Sequence, residues 1–192
     1  MKIGITLTSS MHVGQEHIDL TNIIAKKIAQ SGHSIVYGGT AYGMMLELAD
    51  TYKKNGGREL IGIMAKDLMS VTKNYIAYDD LDQSFLLETV SERKDKIISI
   101  SDGFIILPGG YGTIEELMTI VSGKINKLFD KPIVIINHNG FYNSLILFLD
   151  ELADKNFSKV DLKDIVFITD DINLALNYFE SYKKIEIADK FV

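Results

Sequence analysis

Phe104-Ile105-Ile106-Leu107-Pro108-Gly109-Gly110-Tyr111-Gly112-Thr113-Ile114-Glu115-Glu116 is the stretch that decides the fold. Its first four residues form a continuous apolar run, as expected for a strand buried on both faces of a parallel sheet. Pro108 fixes the start of a turn without using a backbone donor. Three glycines in four positions follow, with no Cβ to hold an anion away from the backbone. A helix then begins, and its first N–H groups and dipole favour a phosphate. A tight strand-to-helix turn with no ligand is the alternative that the same glycines allow. The turn is not the dinucleotide fingerprint G-x-G-x-x-G, because Gly110-Tyr111-Gly112-Thr113-Ile114-Glu115 ends in glutamate. It is not a Walker loop either, since no Gly-Lys-Ser/Thr follows.

Outward from this unit the same alternation recurs. Residues 3–7 form a first strand, and Ile18, Ile23, Ile24 and Ile28 carry the apolar spacing of a following helix. Ser34–Tyr37 is a second strand, followed by a Gly-rich loop and a helix over Gly43–Lys54. Residues 60–64, Ile133–Ile136 and 165–168 read as further strands. Residues 81–100 read as one helix, with Leu86, Val90, Arg93 and Ile97 on a single stripe. Residues 65–82 are irregular and predict a long loop or a short extra strand, and the pattern of 181–192 is weak. Alternating β and α elements predict an α/β fold: a Rossmann-like, doubly wound parallel sheet with helices on both faces. With no linker or repeat, residues 1–192 read as a single domain with its core at about 2–180.

Composition narrows the function. A hydrophobic content of 46% suits a globular chain, and a net charge of −6 argues against sequence-independent binding of nucleic acid or an anionic membrane. A local basic pocket for one phosphate remains compatible with that exterior. The absence of cysteine removes disulfides, thiolate metal sites and cysteine nucleophiles. His12, His17, His33 and His138 show no metal-ligand spacing, so no metal is expected. No apolar run reaches membrane-spanning length and the N-terminus lacks a signal-type apolar region, which predicts a soluble, cytoplasmic protein.

In such folds ligands sit at the carboxyl ends of the strands. Two loops have that position: Tyr37-Gly38-Gly39-Thr40-Ala41-Tyr42-Gly43 and Pro108-Gly109-Gly110-Tyr111-Gly112-Thr113. An inward Arg93 needs an anionic partner. That partner is either an internal carboxylate or a ligand phosphate, which the forked guanidinium suits. Thr113-Ile114-Glu115-Glu116 fits a capping box with Thr113 as N-cap and Glu116 as its third residue. The other reading keeps a carboxylate beside the phosphate turn to contact a sugar hydroxyl or to activate water.

Pro108-Gly109-Gly110-Tyr111-Gly112-Thr113-Ile114-Glu115-Glu116 resembles the PGGxGTxxE motif of the LOG ("lonely guy") family. Arg93-Lys94, Tyr37-Gly38-Gly39, Lys131-Pro132 and Asn139-Gly140-Phe141-Tyr142 are similar to further segments of that family, over roughly residues 2–180. Its members are cytokinin riboside 5′-monophosphate phosphoribohydrolases, and many relatives were long labelled lysine decarboxylases. The resemblance implies hydrolysis of the N-glycosidic bond of AMP or an N6-modified AMP, giving free base and ribose 5-phosphate. It implies Arg93 and Glu116 as catalytic residues. It implies substrate contacts from Ser9, Gly38, Gly39, Thr40, Val90, Lys94, Pro108, Gly109, Gly110, Tyr111, Gly112, Thr113 and Glu115. A homodimer with no metal or organic cofactor is also implied. Relatives of this fold include non-catalytic nucleotide sensors and carriers of the molybdenum cofactor, the alternative function. The chain departs from the family at Thr40 and Leu46, where glycines are usual. It also departs at Leu7-Thr8-Ser9-Ser10, in place of a Cys-Gly-Ser-like turn, and at Val90, where methionine is frequent. The segment 119–123 lacks the usual Glu and Trp. These changes bear on the nucleoside pocket more than on the phosphate turn.

Overall fold

The computed structural model describes residues 1–72, 75–158 and 160–187. Seven strands, β1 (Lys2–Thr6), β2 (Ser34–Tyr37), β3 (Leu60–Ala65), β4 (Gln83–Leu87), β5 (Gly103–Ile106), β6 (Ile133–Ile136) and β7 (Phe167–Thr169), form one sheet in the order β4-β3-β2-β1-β5-β6-β7. Every adjacent pair is parallel. The chain starts in the middle, winds out to β4 and returns to the other side of β1. The loops after β1 and β5 therefore diverge, which opens a crevice at their carboxyl ends.

Period-two side-chain alternation divides the strand residues between two apolar layers. Ile3, Ile5, Ile35, Ile105 and Val134 face α1 (Gln15–Gln30), α2 (Gly43–Lys54) and α8 (Ile172–Ser181). Val36, Ile61, Phe104, Ile106 and Ile133 face α4 (Val90–Ile100), α5 (Tyr111–Ile125), α6 (Asn143–Asp154) and α7 (Leu162–Ile165). Each fully buried side chain of this size contributes about 1.5–3 kcal/mol relative to exposure. Among the described residues, no helix is long and apolar enough to cross a membrane.

The structure corrects several expectations. The helix expected over 81–100 is two elements. Residues Gln83–Leu87 pair with β3 as an edge strand, and the helix starts only at Val90. Leu86 is therefore a strand residue, nearly half exposed, and shares no stripe with Arg93. The true start is marked by a capping box: Thr89 Oγ1 accepts from the Glu92 amide at 3.1 Å, and the Glu92 carboxylate accepts from the Thr89 amide. The last strand begins two residues later than expected, because Ile165 closes α7. In the irregular stretch a short helix, α3 (Lys66–Val71), follows β3, and a single antiparallel bridge joins Thr40 to Ala77. Residues 73–74 of that stretch, and 188–192 of the tail, lie outside the described residues.

Candidate functional site

The Gly-rich turn after β5 leads into α5 at Tyr111, with Gly110 as N-cap and no side-chain cap. Thr113 is thus the third residue of the helix, and the expected capping box with Glu116 does not form. The first amide to close a helical bond is that of Ile114, which donates to the Gly110 carbonyl at 3.0 Å. The amides before it have no acceptor within the helix and form an anion-receptive end. Tyr142, from the start of α6, steadies the turn from behind. Its buried hydroxyl donates to the Leu107 carbonyl at 2.7 Å, and its amide donates to Asn137 Oδ1 at 2.8 Å. Burial pushes the Tyr142 phenol up from its ordinary range, so it stays a donor.

Arg93 projects from the first turn of α4 and is only 6% exposed. Its Nε donates to the Ile63 carbonyl within β3 at 2.9 Å, and its Nη1 donates to Glu116 Oε1 at 2.8 Å. The guanidinium is thereby fixed between β3 and the first turns of α5. Its anionic partner is the very glutamate that lies beside the Gly-rich turn. One shell outward, the Lys94 ammonium is held by Glu115.

The first Gly loop closes around this pair. An added Cβ on Gly38 would lie 2.5 Å from Arg93 Nη2, so glycine here permits the close approach of the guanidinium. Gly39 has φ +76°, and a Cβ there would meet the Gly62 backbone at 2.9 Å. Thr40 donates its hydroxyl to Met45 Sδ at 3.1 Å.

These elements surround a cavity of about 380 Å³ at the carboxyl edge of the sheet. Of the residues expected at a site, it brings together Ser9 after β1, Thr40 after β2, Val90 and Arg93 of α4, and Gly110, Tyr111, Gly112, Thr113, Glu115 and Glu116 at the turn into α5. The ring of Tyr111 stands 94% exposed at the rim. Gly38, Gly39 and Lys94 do not line the cavity: Gly38 packs against Arg93, Gly39 against the β3 backbone at Gly62, and Lys94 pairs with Glu115. Pro108 and Gly109 line a neighbouring hollow that shares only Thr8 and Gly110 with it. The cavity also recruits Leu7, Thr8, Met45, Leu68 and Tyr75, which were not singled out from sequence. Thr8 adjoins Ser9 and could have been found from the β1 turn. Tyr75 sits in the irregular stretch, where no periodicity indicates a facing direction. Among the described residues, no cluster of three or more His, Asp or Glu side chains converges as a metal site.

A protein family described as "Possible lysine decarboxylase" matches residues 45–179. The probable cytokinin riboside 5′-monophosphate phosphoribohydrolase LOGL6 of Oryza sativa subsp. japonica is 30% identical over 181 residues, covering 94% of this chain and 71% of that protein. The chain belongs to the LOG family. Another member, the cytokinin riboside 5′-monophosphate phosphoribohydrolase LOG2 of Arabidopsis thaliana, is 30% identical over 159 residues, 83% of this chain and 73% of its own. The LOG-type fold recurs in the molybdenum cofactor carrier protein of Chlamydomonas reinhardtii, with a TM-score of 0.70 at 21% identity, covering 93% of this chain and 95% of that one. It recurs in the molybdenum cofactor binding protein of Rippkaea orientalis, with a TM-score of 0.67 at 19% identity, covering 94% and 95% of the two chains. At such identities the likeness speaks for the fold alone.

Proposed function

We propose that this LOG-family chain hydrolyses the N-glycosidic bond of a nucleoside 5′-monophosphate, AMP or an N6-modified AMP such as a cytokinin riboside monophosphate, to free base and ribose 5-phosphate. The observation that carries this reading is the Arg93–Glu116 pair, which opens into the same cavity as the acceptor-free amides at the start of α5. The amides of Gly110, Tyr111, Gly112 and Thr113, with the Ser9 hydroxyl across the crevice, receive the phosphate. Breaking the ribosyl–base bond builds positive, oxocarbenium-like charge on the sugar. Glu116 lies where a carboxylate can stabilise that charge and orient water, since Oε1 is held by Arg93 and Oε2 accepts no hydrogen bond from the described residues. Arg93 orients this carboxylate and offers its remaining N–H groups to the substrate. Preorganised charge of this kind acts without reorganisation at the moment of reaction. Water is the second reactant, and no cofactor is needed.

The names of the plant relatives support the same chemistry. Val90, Met45 and Leu68 form the apolar surface available to a base, with Glu115, held by Lys94, beside the ribose. Pro108, Gly109, Gly38 and Gly39 shape the site through their backbones. We further propose a cytoplasmic homodimer that binds small nucleotides rather than nucleic acid, in keeping with the charge of −6. The test is incubation with a panel of nucleoside 5′-monophosphates, with lysine as a control, resolved by chromatography. Free base from at least one nucleotide is expected. A nucleotide that raises the Tm yet is recovered unchanged would make the chain a binding module instead, the role of its molybdenum-cofactor-carrying structural relatives.

A further inference from the structure

Tyr75 lies between β3 and β4 and lines the cavity, yet no motif points to it. Its segment is fixed against the first Gly loop. The Ala41 amide donates to the Ile76 carbonyl and the Tyr78 amide donates to the Gly39 carbonyl, both at 2.9 Å, on either side of the Thr40–Ala77 bridge. The Tyr75 hydroxyl is buried, and its proton has no acceptor among the described residues. A buried hydroxyl left unpaired costs about 1–3 kcal/mol, so its retention in a ligand cavity calls for an acceptor supplied from outside the chain.

The topology says which end of a nucleotide it meets. The phosphate-receptive amides follow β5 on one side of β1, whereas Thr40, Met45, Leu68 and Tyr75 follow β2 and β3 on the other. On that side Met45, Leu68 and Val90 are apolar, Arg93 is bonded to Ile63 and Glu116, and of the two hydroxyls that of Thr40 is already given to Met45 Sδ. Apolar side chains suit the faces of a base, and a ring nitrogen in its plane needs one donor. Burial raises the Tyr75 phenol above its usual range; Arg93 and the Ala65 amide oppose this, and the Asp67 and Glu116 carboxylates reinforce it. The group therefore keeps its proton and stays within electrostatic reach of the Arg93–Glu116 pair.

We infer that the Tyr75 hydroxyl donates a hydrogen bond to the departing base of the bound nucleotide. The inference rests on the hydrolase reading above. As the C1′–N bond breaks, its electron pair passes to the base, while a water oxygen bonds to C1′ and releases one proton to Glu116 or solvent. The base takes one proton from solvent, and the phenol remains protonated throughout. Its hydrogen bond stabilises the negative charge that grows on the base.

The test compares wild type and Tyr75→Phe on AMP and on its N7-methylated counterpart, whose base already carries positive charge and leaves neutral. A hydrogen bond to developing charge predicts a kcat lower by about 10- to 100-fold on AMP. On the methylated nucleotide the two proteins should match, with a Tm for the variant equal to or above that of wild type. Equal losses on both substrates, or no loss on AMP, would overturn the inference while leaving the hydrolase reading in place. Wild-type protein that leaves AMP intact would overturn both.

Discussion

Glutamine at position 116 keeps the shape of the glutamate and one acceptor oxygen but removes the charge. In the structure Glu116 Oε1 accepts from Arg93 Nη1 at 2.8 Å, and the two side chains are 18% and 7% exposed. Deleting one partner of such a buried pair outright costs about 3–5 kcal/mol. Glu116→Gln retains a neutral hydrogen bond, so the cost falls to roughly 1–2 kcal/mol. In a chain of this size that lowers the Tm by about 2–8 °C. The protein should therefore stay folded at 25 °C, given a usual total of about 5–15 kcal/mol. Catalysis should suffer far more. A preorganised charge removed from beside a developing cation lowers kcat by about 10²–10³-fold. Thermal melts and chromatographic assay of base release, on the same preparation, separate the two effects. A variant that shows the Tm fall yet turns over within about threefold of wild type would refute the reasoning. Glu116 would then serve only to hold Arg93.

Three further outcomes follow from single contacts. An added Cβ on Gly112 meets nothing within 4 Å of it, so Gly112→Ala should hold or raise the Tm, because alanine favours the helix by up to about 1 kcal/mol. It should also weaken binding of nucleoside monophosphate at the cavity, and calorimetry showing unchanged affinity would place the phosphate elsewhere. Tyr142→Phe leaves the buried Leu107 carbonyl without its donor, so it should lower stability by about 1–3 kcal/mol and raise KM more than it lowers kcat; unaltered denaturant melts would count against that bond. Lys124 is fully buried, with its Nζ donating to the Lys131 carbonyl at 3.0 Å and to the Tyr182 hydroxyl at 2.9 Å. Burial pulls this amine down from the usual 10.5 to about 8, against the opposing pull of Asp130. The unfolded chain therefore binds the extra proton between about pH 8 and 10, and this group makes stability rise with pH across that window. Urea melts should show the rise in wild type and its loss in Lys124→Met, whereas identical pH slopes would contradict the assignment.

Much of the fold was legible because its strands are buried on both faces. Phe104–Leu107 and Ile133–Ile136 are continuous apolar runs, and β5 and β6 occur where they place them. β4 was not legible for the complementary reason. As an edge strand it mixes exposed Gln83, Ser84 and Leu86 with half-buried Phe85 and Leu87, and the spacing from Leu86 to Val90 imitates a helix. The Thr89-Val90-Ser91-Glu92 capping box would have divided the two elements. The inward position of Arg93 was right for a partly wrong reason. The stripe that suggested it does not exist at Leu86, yet the arginine is buried and meets a carboxylate. The expected cap at Thr113 failed because the glycines let α5 start three residues earlier, at Tyr111, which leaves the turn's amides uncapped. Tyr75 and Leu68 were invisible in sequence. Tyr75 reaches the cavity through an irregular segment whose direction is set by two backbone hydrogen bonds to the first Gly loop, and Leu68 through the short helix α3, which no periodicity marks.

The central claim is that one cavity grips a nucleotide by its phosphate and severs its base. Proton and phosphorus NMR of AMP and an N6-modified AMP, followed in time with wild-type protein and with Glu116→Gln, tests this most directly. The account predicts ribose 5-phosphate and free base appearing one-to-one with wild type, and nucleotide signals persisting with the variant. Nucleotide that broadens on binding to wild type but never yields a ribose 5-phosphate resonance would contradict it.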